Sequence, residues 1–170
     1  MDDEPRDLQG DLERLHPDSY GWALACCGRR PVEASEALHA AYLKVLEGRA
    51  RFSGRSAFRT WLFGVIRRTA AEHRRREALL RLRLITLGDA SEPRDSAPSP
   101  ADRAERADQA ARLASALARL PRRQREVLDL VFYHDLPISE AAAVMGVGVG
   151  SARRHYERGK ARLRALLDPS

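Results

Sequence analysis

The last third of this 170-residue chain holds apolar residues at helical spacing, one glycine-marked turn and then a long arginine-rich stretch. Residues 120–128 read Leu-Pro-Arg-Arg-Gln-Arg-Glu-Val-Leu, which predicts a helix opened by Pro121 in its first turn. Residues 138–145 predict a second short helix, Gly146-Val147-Gly148 a tight turn where glycine accepts a positive φ, and residues 149–167 a long helix. On that last helix Ala152, Tyr156, Gly159, Leu163 and Leu167 recur at steps of four, three, four and four, so they form one inward stripe. Ser151, Arg154, Glu157, Arg158 and Arg162 then face outward, with Arg153 at the flank. Two helices around a tight turn, the second lined with arginine, suit a DNA major groove. Arg153, Arg154, Glu157 and Arg158 are the expected base readers, and Ser151, His155 and Arg162 the expected phosphate contacts.

The charge balance agrees. A net charge of +6 and a pI near 10.0 point to a polyanion, either nucleic acid or an anionic membrane. No apolar run approaches the roughly 18–20 residues of a membrane span, so membrane insertion is not expected. The start, Met-Asp-Asp-Glu-Pro, lacks the basic-then-apolar layout of a signal peptide, and a cytoplasmic location is expected. Nearly every cation is arginine, Lys44 and Lys160 being the exceptions. Arginine's planar fork matches phosphate and guanine edges, although GC-rich codon usage enriches it too. Aromatics make up 6% of the chain and the apolar content is mostly Ala, Leu and Val, which favours helices over strands.

Metal and enzyme chemistry find little support. Cys26 and Cys27 are neighbours in an apolar stretch and are expected as small core residues. His16, His39, His73, His134 and His155 are scattered without ligand spacing, so neither a metal nor another cofactor is expected. Phosphodiester chemistry needs clustered carboxylates or a placed nucleophile, and the acids here are dispersed. No catalytic residue and no small-molecule substrate are therefore expected.

The chain is expected to be all-α, with two small helical domains joined by a flexible linker. Residues 1–7 read as an acidic tail. Residues 8–84 form the first domain: helical spacing at Leu8, Leu12 and Leu15, an interruption or restart at Pro17, and a stripe through Tyr20, Leu24 and Cys27. A helix over 33–46 follows, with apolar positions Ala34, Leu38, Ala41, Tyr42, Val45 and Leu46, then a basic loop over 48–54. Another helix is expected from about Ser56 to Arg83, with Phe58, Trp61, Leu62, Val65, Ile66, Thr69 and Ala70 on its apolar face. Residues 85–103, with Gly88, three serines, three prolines and four acids, read as the linker, and residues 104–168 as the second domain.

The segment 120–128 together with 140–154 (Glu-Ala-Ala-Ala-Val-Met-Gly-Val-Gly-Val-Gly-Ser-Ala-Arg-Arg) resembles region 4 of sigma-70 family sigma factors, the domain that binds the promoter −35 element. Phe58-Arg-Thr-Trp61-Leu-Phe63, followed by Ile66-Arg67-Arg68, resembles region 2 of the small extracytoplasmic-function group. With both halves present in order, the resemblance covers about residues 8–167. It implies an alternative sigma factor that partners core RNA polymerase and promoter DNA and is held by an anti-sigma factor. The helix over 33–46 resembles the family's polymerase-gripping helix, which implies contacts from Glu36, Leu38, His39, Tyr42 and Lys44. Promoter opening needs a basic surface with aromatics for unpaired bases. Arg49, Arg51, Phe52, Arg55, Trp61, Arg67, Arg68, His73, Arg74 and Arg75 supply it, as the expected −10 contacts.

The sequence also departs from the family pattern. The gripping helix normally reads acidic-Leu-Val-Gln-acidic, and here His39 replaces the Gln and Ala40 the second acid. Arg68 stands where Asn is common, and Pro137 and Gly148 stand at usual capping serines, each lost cap costing about 1 kcal/mol. The altered gripping helix keeps a second reading open: a sigma-like DNA-binding regulator or mimic with weakened polymerase binding.

Overall fold

The computed structural model describes residues 7–86 and 104–168, and all regular structure among them is helical. The linker expected over 85–103 lies outside the described residues from 87 onward, as do tail residues 1–6. Helices α1 (Leu8–Arg14), α2 (His16–Cys26), α3 (Pro31–Leu46) and α4 (Phe58–Thr86) build the first half. Helices α5 (Ala104–Ala118), α6 (Arg122–Leu128), α7 (Ile138–Met145) and α8 (Val149–Leu167) build the second.

Local chemistry explains the boundaries. The Asp7 side chain caps α1 by accepting from the Gly10 amide at 2.9 Å. Pro17 stands in the first turn of α2, so it restarts a helix rather than breaking one. Gly28 and Arg29 both take positive φ and turn the chain out of α2. α3 starts at Pro31, two residues ahead of the expected start, because that proline presets the first turn. Pro121 differs from expectation: it is the extended residue before α6 (ψ 140), not part of its first turn. Gly146 closes α7 in the left-handed conformation (φ 64), as the turn requires.

In the first half, α2, α3 and α4 pack on one another. Ala34, Ala37, Leu38, Ala41 and Val45 of α3 are buried, and so are Leu62, Phe63, Val65, Ile66 and Ala70 of α4. Trp22 is 0% exposed, stacks on Phe63 with ring centroids 5.9 Å apart, and donates its indole N–H to the Phe63 carbonyl at 3.0 Å. This satisfies the one polar atom of a large buried ring. Leu46, expected in the core, is 54% exposed, because α3 turns it away from α4 at the helix end.

In the second half, Gly159 lets α8 approach α6 closely. A Cβ there would stand 3.2 Å from both Gln124 Cβ and Leu128 Cδ1. Between α6 and α7 the chain makes a π-helical turn over Asp129–Tyr133, which the residue pattern does not announce. The His134 amide bonds back to the Asp129 carbonyl, and the His134 ring is left fully buried.

The two halves do not stand apart. α4 packs against α7, and α2 against the π turn. Val127, Leu130, Leu136, Ala141, Val144 and Met145 join Trp22 and Phe63 in one continuous core. The sequence leaves the placement of the two helical units open; here each half offers an apolar face to the other, and joining them removes both faces from water. The His134 ring lies edge-on to Phe63, 4.9 Å between centroids, and Arg59 donates to the His134 carbonyl at 2.9 Å.

Candidate nucleic-acid interface

α8 carries the first basic surface. Its inward stripe is set by Ala152 and Gly159, both buried, with Tyr156, Leu163 and Leu167 half-buried. That orientation leaves Arg153, Arg154, Glu157, Arg158 and Arg162 exposed, with Ser151 and His155 half-buried beside them. All seven expected −35 contacts thus share one continuous helix surface. Arg154 reaches Ser151 Oγ at 3.4 Å, and Glu157 lies 3.6 Å from Lys160, whose ammonium sits 4.8 Å from the Tyr156 ring centre. Val149, the first residue of α8, is 45% exposed. It had no place among the expected contacts, since an apolar residue at a helix start reads as core in a one-dimensional pattern. The positive end of the α8 dipole lies at this same end, and it favours phosphate.

The second basic surface is a cleft of about 330 Å³ between the end of α3, the loop after it and α4. Lys44, Arg49, Arg51, Trp61, Arg68 and Glu72 line it. Trp61 is the aromatic residue of its lining, and Phe52 and Phe58 pack against that ring and each other with centroids 5.3–5.4 Å apart. Phe58 is buried while Phe52 and Trp61 are half-exposed, so Trp61 presents ring surface to the cleft with Phe52 packed beside it. Lys44 bridges Glu72 (2.5 Å) and Thr69 Oγ1 (3.2 Å). That hydrogen bond from Lys44 holds the Glu72 carboxyl below its usual range despite partial burial. Arg55 is exposed on the same loop.

The structure divides the ten expected −10 residues. Arg49, Arg51, Trp61 and Arg68 line the cleft, Phe52 packs against Trp61, and Arg55 is exposed on the loop between α3 and α4. Arg75 is exposed on a later turn of α4, and His73 lies 4.0 Å from Glu36. Arg67 and Arg74 face the protein instead. Arg67 donates through Nε (3.1 Å) and Nη2 (3.0 Å) to Glu126 Oε2 of the second half. Arg74 donates to the Cys26 carbonyl, and burial, then the nearby Arg122 charge, push its pKa down. Cys26 and Cys27 are buried, and burial pushes both thiols up, which makes them poor nucleophiles.

The expected polymerase contacts divide as well. Glu36 and His39 are exposed on α3, and half-buried Tyr42 meets His16 at 3.3 Å. Leu38 is 1% exposed and belongs to the core, and Lys44 turns into the cleft. Sequence reasoning missed the residues that continue the exposed face. Val32, Leu43 and Leu46 are exposed, and with Glu36 and His39 they recur at steps of four, three, four and three. That period was the available signal, but an apolar residue on a helix reads first as core.

A two-part, all-helical chain with one arginine-faced helix and one aromatic basic cleft belongs to the class of DNA-reading transcription proteins. Residues 12–79 match the family model for sigma-70 region 2, and residues 110–163 the model for sigma-70 region 4. The chain is 30% identical over 168 residues to the RNA polymerase sigma factor CarQ of Myxococcus xanthus, covering 97% of this chain and 92% of that protein. It is 35% identical over 114 residues to the ECF RNA polymerase sigma factor RpoE of Cereibacter sphaeroides, covering 67% of this chain and 56% of that protein. In fold it is similar to the sigma factor RpoE of Bartonella quintana, solved with the anti-sigma factor NepR. There the TM-score is 0.74 at 21% identity, covering 95% of this chain and 97% of that one. The chain belongs to the sigma-70 family, in its extracytoplasmic-function group. It is an alternative sigma factor, the kind of protein that directs core RNA polymerase to promoters; sigma factors regulate transcription rather than catalyse it.

Proposed function

We propose that promoter recognition in this chain is divided between α8 and the α3–α4 cleft, with the exposed stripe of α3 holding the polymerase. The boundaries are a region 2 unit over 8–84, a linker over 85–103 and a region 4 unit over 104–168. The observation that carries the reading is the cleft. It sets an aromatic wall, Trp61 with Phe52 packed against it, beside Arg49, Arg51 and Arg68. An unpaired base stacks on such a wall while the arginines hold its phosphates, and each stacked base contributes about 1–3 kcal/mol. This turns melting of the −10 element into a binding event.

On α8, Arg153, Arg154, Glu157 and Arg158 read base edges, and Ser151, His155 and Arg162 hold phosphate. Val149 offers an apolar contact for a thymine methyl group. On α3, Glu36 and His39 grip polymerase, with Val32, Leu43 and Leu46 supplying apolar area around them. Tyr42 borders this face, while Leu38 and Lys44 act by positioning it. Each reader alone is weak, and polymerase makes their action joint by fixing the distance between them. The chain performs no bond chemistry and acts where polymerase and promoters are, in the cytoplasm. Its Bartonella neighbour was solved with an anti-sigma factor, and a protein of that kind is the proposed restraint here.

Run-off transcription with core polymerase on a pool of genomic promoter fragments tests the reading. Discrete products are expected, and they should vanish with Glu36→Ala plus His39→Ala. No product from the wild-type chain, together with no co-elution with polymerase, would sink it. The regulator reading, which rests on His39 and Ala40 replacing the usual Gln and acid, would then lead.

A further inference from the structure

Glu126 of α6 is 3% exposed, yet it is a carboxylate at the junction of the two halves. A buried charge persists only with partners. Here they come from both halves: Arg122 of α6 donates to Oε1 at 2.9 Å, and Arg67 of α4 donates twice to Oε2. Next to Arg67 in sequence is Arg68, which lines the basic cleft. A second polar tie lies on the same face of α4, where Thr60 donates to Glu140 of α7 at 2.6 Å. Between the two ties lies Gly64, where a Cβ would stand 3.5 Å from Arg68 Nη1 and 4.0 Å from the Val144 carbonyl of α7.

We propose that Glu126 is an internal stand-in for a DNA phosphate, which closes the two halves by occupying the Arg67 guanidinium that promoter DNA needs. Carboxylate and phosphate present the same pair of acceptors to an arginine fork, so one guanidinium serves only one of them fully. Opening leaves Glu126 with Arg122 and water, and frees Arg67 toward the cleft. DNA binding and opening are then coupled, and each favours the other to the same degree. The chain restrains itself before any partner binds. The DNA half of this proposal rests on the reading of the α4 arginines as −10 contacts; the closing contact does not.

The test compares the full chain with Glu126→Gln and Gly64→Phe. The first removes the charge at nearly constant volume. The second wedges α4 from α7 with a residue that would be solvated in the open form. Small-angle scattering reads the radius of gyration, and anisotropy reads binding of a short fluorescent single-stranded DNA of random sequence. Both variants should expand and bind the strand about fivefold more tightly, a gain of about 1 kcal/mol. Adding Arg67→Ala to Gly64→Phe should erase the gain. Unchanged size in Gly64→Phe with native helix content overturns the proposal. So does expansion without tighter binding, or a gain that survives Arg67→Ala. None of these outcomes bears on the sigma reading, which run-off transcription decides.

Discussion

α4 and α8 are both long and both rich in arginine, yet they treat the same side chain in opposite ways. On α8, Arg153, Arg154, Arg158 and Arg162 are exposed. On α4, Arg59, Arg67 and Arg74 are drawn into contacts with a carbonyl or a carboxylate of another element. The difference follows from position. α8 lies at the outside of its half and packs along one stripe. α4 is surrounded by α2, α3 and α7, so more than one of its faces meets protein. An arginine count measures charge; the number of packed faces decides how much of that charge is available.

The comparison is broken most severely at the buried ring of α4. Phe63→Ala should lower stability by about 3–5 kcal/mol, since it empties the site beneath Trp22. Urea denaturation would measure this, and a loss below about 1 kcal/mol would show that α4 is not the central helix. On α8 the corresponding change is Gly159→Val, which crowds Gln124 and Leu128 and should cost about 1–3 kcal/mol by overpacking. A neutral outcome would mean that α6 yields easily.

Binding effects come next. Trp61→Ala should weaken single-strand DNA binding by about 1–3 kcal/mol while the melting temperature falls only a little, because the ring is half-exposed. Equal affinity would remove the cleft from the −10 assignment. Arg158→Ala should weaken −35 duplex binding by about 1–3 kcal/mol and leave stability within about 0.5 kcal/mol. A drop in stability would mean that α8 is less free than its exposure indicates.

The smallest effect concerns pH. The folded-state pKa of Glu72 lies below its ordinary value, so its bond to Lys44 stabilises the fold above the usual carboxylate range. That contribution should fade as pH falls through the lowered value. Lys44→Met should therefore narrow the stability gap between neutral and acidic solution, read by melting at each pH. An unchanged pH profile would remove this pair from the stability of the cleft.

Much was legible because helices obey local rules. The bounds of α7 and α8 follow from their apolar period and from Gly146 between them, and the outward arginines of α8 follow from its one inward stripe. α3 was harder, since Leu38 and Leu43 are the same residue and only neighbouring helices make one core and the other surface. Leu46 read as core for the same reason. The π turn escaped because one extra residue per turn leaves no compositional mark.

The sequence by itself determined the α-helices, the outward arginines of α8 and the family resemblance, since all of these rest on spacing within a few turns of chain. Only the tertiary structure decided that the halves share a core and that Arg67 is tied to Glu126 across it. A contact between residues 59 positions apart depends on which faces of two helices are brought together, and no local period encodes that choice.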